Sequence, residues 1–127
     1  MTTDDLKRLA EKYPEHIEDD LGSGTYHISN FDCAFDPSGG LGSFMFRGTA
    51  HFLGHPVSEA IFSALLDEIA EKEHGAYLVR RGRAKTFIQS QPEAPYDGTL
   101  WHWEARRITD FELLSEGETK LDALLAL

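Results

Sequence analysis

Between Ser58 and Gly75 the chain has little choice but to be helical, and that segment constrains what the rest can become. Ile61, Phe62, Leu65, Leu66 and Ile69 recur at intervals of three and four, so a helix over 59–74 gathers them into one stripe. Glu59, Asp67, Glu71 and Lys72 fall on the opposite, wet side. Ser58 offers an N-cap oxygen, Val57 can staple onto Phe62, and Gly75 suits the left-handed residue that stops a helix. One apolar stripe on one helix must be buried against another layer.

The flanking segments supply that layer as strands. From Thr25 to Phe35 the pattern alternates, with Phe31, Cys33 and Phe35 on one face and Asn30 and Asp32 on the other. After the turn-rich Asp36-Pro37-Ser38-Gly39-Gly40, alternation resumes from Ser43 to Leu53, and the two segments are expected to pair as neighbours. Ala76–Arg83 and Lys85–Gln91 read as two strands parted at Gly82, or as one bent strand with a bulge there. Gln91–Gly98, with Pro92 and Pro95, is a loop, and Leu100–Ile108 and Phe111–Leu114 are strand-like. Thr3 caps a helix over 3–13 that carries Leu6, Leu9 and Ala10 on one face, and Thr119–Leu127 forms a short apolar helix or tail. The expectation is an α+β fold over 1–127 as a single domain. Its sheet is mostly antiparallel with about five strands, the main amphipathic helix packs on one face, and short helices stand at both ends.

Hydrophobic residues make up 41% of the 127, enough for a core and too many for a disordered chain. No run reaches the length of a membrane span, and Met1-Thr2-Thr3-Asp4-Asp5 has neither the basic start nor the apolar run of a secretory signal. The single cysteine, Cys33, removes an internal disulfide and any multi-thiolate zinc site. A reducing, cytoplasmic setting follows as the expectation.

Charge is the broadest functional clue. The formal net charge is −10, which disfavours binding to a nucleic-acid backbone, yet Arg80, Arg81, Arg83, Lys85, Arg106 and Arg107 form a basic band on the acidic body. Two functional readings follow. In the first, the protein is noncatalytic and inhibits a basic protein partner, in the manner of an immunity protein, an antitoxin or a phage-encoded anti-defence inhibitor. Glu15, Glu18, Asp19 and Asp20 would make the contact, with Asp32 and Asp36 as a second cluster. In the alternative, the protein binds or acts on a small anionic ligand such as a nucleotide. Arg80, Arg81, Arg83, Lys85 and Arg106 would hold the anion, with His102 and Glu104 as acid and base. A homodimer built through an exposed sheet edge is a third possibility.

Other motifs have plainer readings. His51 and His55 are four apart, but Gly54 and Pro56 disfavour the helix that would aim both at one metal, so no metal or cofactor is expected. Cys33, between Phe31 and Phe35, reads as a packing residue. Trp101 and Trp103 share one strand face and His102 and Glu104 the other. Gly39-Gly40-Leu41-Gly42-Ser43 precedes a strand and lacks the lysine of a phosphate loop, so it reads as a hairpin loop.

Overall fold

The computed structural model describes residues 1–19, 26–28, 33–36, 43–46, 49–84 and 99–127. In chain order these are α1 (Thr3–Lys12), β1 (Glu18–Asp19), β2 (Tyr26–Ile28), β3 (Cys33–Asp36), β4 (Ser43–Phe46), β5 (Thr49–Phe52), α2 (Pro56–His74), β6 (Ala76–Ala84), β7 (Thr99–Arg107), β8 (Leu113–Gly117) and α3 (Lys120–Leu125). It is a mixed α+β fold, and among the described residues every strand pairing is antiparallel. The strands fall into two sheets rather than one: β1 to β5 in sequential order, and β6-β7-β8. Among the described residues no helix is long and apolar enough to cross a membrane.

Each helix starts where a cap permits. Thr2, not Thr3, caps α1: its hydroxyl accepts from Asp5 N–H, and the Asp5 carboxylate accepts from Thr2 N–H, a reciprocal box that satisfies two orphan donors. α2 begins three residues before the expected start. His55 Nδ1 accepts from Val57 N–H, and Pro56 occupies the first turn, where its missing N–H costs nothing. Ser58 is therefore inside the helix, fully buried, and its hydroxyl donates to the Phe52 carbonyl. Gly75 ends α2 at φ 58°, as its lack of a Cβ allows.

The two long strands expected at 25–35 and 43–53 are each divided. β2 pairs with β3 (Ile28 opposite Cys33) and β4 with β5 (Phe46 opposite Thr49), so the chain reverses within each segment. β6 instead runs unbroken through Gly82, opposite Trp101 of β7. The expected strand at Lys85–Gln91, the loop at Gln91–Gly98 and the glycine-rich stretch before Ser43 lie outside the described residues.

The core is where the three helices meet the β6-β7-β8 sheet. Leu6, Leu9 and Tyr13 of the first helical segment join Phe62, Leu65, Leu66 and Ile69 of α2 and Leu121 and Leu124 of α3, with Ile17, Ile28, Leu53 and Ala76 completing the cluster. Each of the leucine, isoleucine and phenylalanine side chains contributes about 1.5–3 kcal/mol when fully withdrawn from water. α3 in turn packs on β7 and β8, and that placement builds the site described next.

Candidate functional site

β7 concentrates the side chains that can do chemistry. Strand alternation sends Trp101, Trp103 and Ala105 to one face and His102, Glu104 and Arg106 to the other, as the sequence pattern indicates. The first face belongs to the helices: Ala105 is buried, the Lys120 Nζ of α3 lies 5.4 Å from the Trp103 ring centre, and Ser115 opposite Ala105 donates to the Ala123 carbonyl. The second face is turned away from them. There the register sets Arg81 beside His102, and Val79 and Glu116 on either side of Glu104.

Glu104 is the centre of this outer face and is only 5% exposed. Arg106 Nε donates to its Oε1 at 3.1 Å, and Arg81 Nε lies 3.4 Å from the same oxygen. His102 Nε2 is 3.3 Å from the other oxygen, Oε2, and 3.7 Å from Glu116 Oε1. A carboxylate out of water is costly unless paired, and two guanidinium groups meet that need. Burial alone pushes the Glu104 carboxyl up, but hydrogen bonds from Arg106 and His102 outweigh it and hold the group below its ordinary value. It is therefore ionised at neutral pH. Glu116 faces Glu104 directly across the ladder, a like-charge pairing that is unfavourable without nearby cations.

The arginines at the end of this sheet are engaged too. Arg106 Nη1 donates to the Phe111 carbonyl, and Arg107 Nη1 pairs with Asp110 at 2.8 Å and Glu112 at 2.7 Å. These bonds fix a turn in which Phe111 takes φ 60°, an uncommon conformation for a bulky residue.

Four of the seven residues of the anion-binding reading, Arg81, Arg106, His102 and Glu104, thus come together. Arg80 does not join them. It projects to the helix-side face and stacks over Trp101, 4.4 Å from the ring centre, because neighbouring residues on a strand point opposite ways. Arg83 lies in β6 opposite Leu100, and Lys85 is outside the described residues. The band is not one cationic clamp, since Arg81 and Arg106 already serve Glu104.

The acidic set is placed in part. Glu15 and Glu18 are exposed beyond the end of α1, while Asp19 and Asp36 lie in β1 and β3. Asp20 and Asp32 are outside the described residues. Cys33 lies in β3 opposite Phe46. The His51 and His55 rings are 4.6 Å apart, and His55 is spent on capping α2.

Two features escaped the sequence reading. Glu116 was missed because the strand expected at Phe111–Leu114 in fact occupies Leu113–Gly117, and only the register with β7 brings Glu116 to Glu104. The second is a cleft of about 450 Å³ with a floor of Phe62, Leu66, Trp103 and Leu121, within the size range of small-ligand sites. Its rim charges are paired internally: Arg8 with Asp122, Lys120 with Asp67, and the N-terminal amine with Glu59.

No protein-family model matches the chain, and no curated protein or solved structure matches it either.

Proposed function

We propose that this protein is a noncatalytic acidic module that occupies a basic surface on another protein, in the manner of an immunity protein, an antitoxin or a phage-encoded anti-defence inhibitor. The supporting observation is how its arginines are used. Arg8 serves Asp5 and Asp122, Arg81 and Arg106 serve Glu104, and Arg107 serves Asp110 and Glu112. None of these pairs involves Glu15 or Glu18, which stay exposed on a chain of net charge −10. Such a field speeds encounter with a cationic partner and disfavours acidic ones. With one cysteine and no disulfide to form, we place its action in the cytoplasm.

The test is affinity capture on the immobilised chain from extract of the source cells at low salt. A basic protein is retained, is released as salt rises, and is not retained by the Glu15→Lys/Glu18→Lys variant. Retention of no protein, or equal retention by the variant, overturns the proposal.

A second reading is favoured by one observation, the convergence of Arg81, Arg106, His102 and Glu104 from two strands. It makes the outer sheet face a site for a small anionic ligand. A nucleotide that raises the melting temperature of the wild type but not of Arg81→Ala supports it.

A further inference from the structure

We propose that His102, Glu104 and Glu116 form a binding site for one divalent transition-metal ion, with zinc the best chemical match. Among the described residues these three side chains each offer a ligand atom, and the three atoms lie within 4.8 Å of one another. One imidazole nitrogen with two carboxylate oxygens is a donor set that suits zinc.

The separations also suit co-ligands, because the nitrogen and oxygen that now share a hydrogen bond can instead share an ion. His102 Nε2 stands 3.3 Å from Glu104 Oε2 and 3.7 Å from Glu116 Oε1. Two ligands each about 2.0–2.1 Å from a tetrahedral zinc stand about 3.3 Å apart. The His102–Glu104 separation is therefore one that a shared ion can span, and Glu116 closes on it by a small side-chain movement.

The backbone explains why the three meet. His102 and Glu104 are two apart on β7 and so point the same way, and Glu116 of β8 is the direct cross-strand neighbour of Glu104. All three stand on a hydrogen-bonded ladder, which holds ligands more rigidly than loops do. Arg81 and Arg106 both address Oε1 of Glu104, which leaves Oε2 turned toward His102. Such outer partners orient metal ligands.

The ligand count narrows the choice of ion. Three protein ligands are too few for calcium, which takes six to eight oxygens. A four-coordinate zinc fits, its fourth position left to water or a small anion. The site requires neither reading above, because its occupancy is measured on the isolated chain without partner or nucleotide.

The experiment is calorimetric titration of the untagged protein with zinc chloride and, separately, magnesium chloride, alongside melting curves. We expect saturable one-to-one zinc uptake that raises the melting temperature, and no response to magnesium. His102→Ala and Glu116→Gln each weaken zinc binding by at least about 10-fold, while a His51→Ala/His55→Ala variant binds like the wild type. Absence of saturable zinc uptake in the wild type overturns the proposal, as does uptake undiminished in Glu116→Gln. Glu116 has a side chain 40% exposed and glutamine keeps its shape, so Glu116→Gln, checked for folding by its own melting curve without zinc, decides the matter even if His102→Ala fails to fold.

Discussion

The Tyr13 hydroxyl lies 2.7 Å from His74 Nε2 and 3.4 Å from the Leu124 carbonyl oxygen, so one phenol ties the end of α1 to both α2 and α3. Burial, helped by the nearby Glu73 carboxylate, raises the Tyr13 pKa. Burial, helped by Lys12, lowers that of His74. Tyr13→Phe removes this junction and should cost about 1 kcal/mol in urea denaturation, the usual net worth of one internal hydrogen bond. The pH dependence has a definite sign. A histidine pKa depressed on folding gives stability that is complete above the unfolded value of about 6.5 and is lost as pH falls through the folded value. Wild-type stability should therefore fall more steeply than that of His74→Gln as pH drops below about 6.5. Equal slopes in the two proteins would count against this assignment. The sequence marked Tyr13 only as the last residue of a helix, because its partners lie 61 and 111 positions away.

At the scale of elements, the stop of α2 and the face assignments of β7 were legible, since each depends on local chemistry: a glycine free to take φ 58°, and a period of two. The strand divisions were not. Alternation alone does not mark where one strand ends and the next begins, so the pattern of 43–53 cannot show that Phe46 pairs with Thr49. The start of α2 was misread because Ser58 is an excellent cap in isolation, but Pro56 at the first turn moves the start back and leaves Ser58 to bond Phe52. A further constraint sits where β8 meets α3. A Cβ on Gly117 would come within 2.5 Å of the Ala123 backbone nitrogen and 2.7 Å of the Asp122 carbonyl carbon, so α3 can dock only against a residue without a side chain. Gly117→Ala should cost about 1–3 kcal/mol by overpacking. Gly75→Ala is destabilising for a different reason, its left-handed backbone, with open space around the position. Far-UV circular dichroism during urea denaturation measures both, and an unchanged midpoint for Gly117→Ala would contradict the close approach.

For the whole molecule, the basic band and acidic body were visible as totals, but where each charge goes depends on register. Arg80 and Arg81 are neighbours in sequence, yet one stacks on Trp101 and the other reaches Glu104 across the sheet. Glu116, which completes the outer cluster, entered only through pairing with β7. What remains is an excess of ten negative charges on a compact chain, which opposes its own folding at low ionic strength. Surface ion pairs such as Lys72–Glu68 are worth about 0–1 kcal/mol and do not reverse that long-range repulsion. Salt screens it, so the melting temperature should rise between about 20 mM and about 200 mM sodium chloride, where the Debye length shortens from above 10 Å to below it. Each reversal in Glu15→Lys/Glu18→Lys replaces a negative charge by a positive one, which takes the net charge from −10 to −6. Because both side chains are exposed, the variant should match or slightly exceed the wild type in stability, within about 0.5 kcal/mol, and its melting temperature should respond less to salt. A loss of stability in the variant would show that these carboxylates support the fold itself, and an acidic surface held for the fold's own use is not one held ready for a partner.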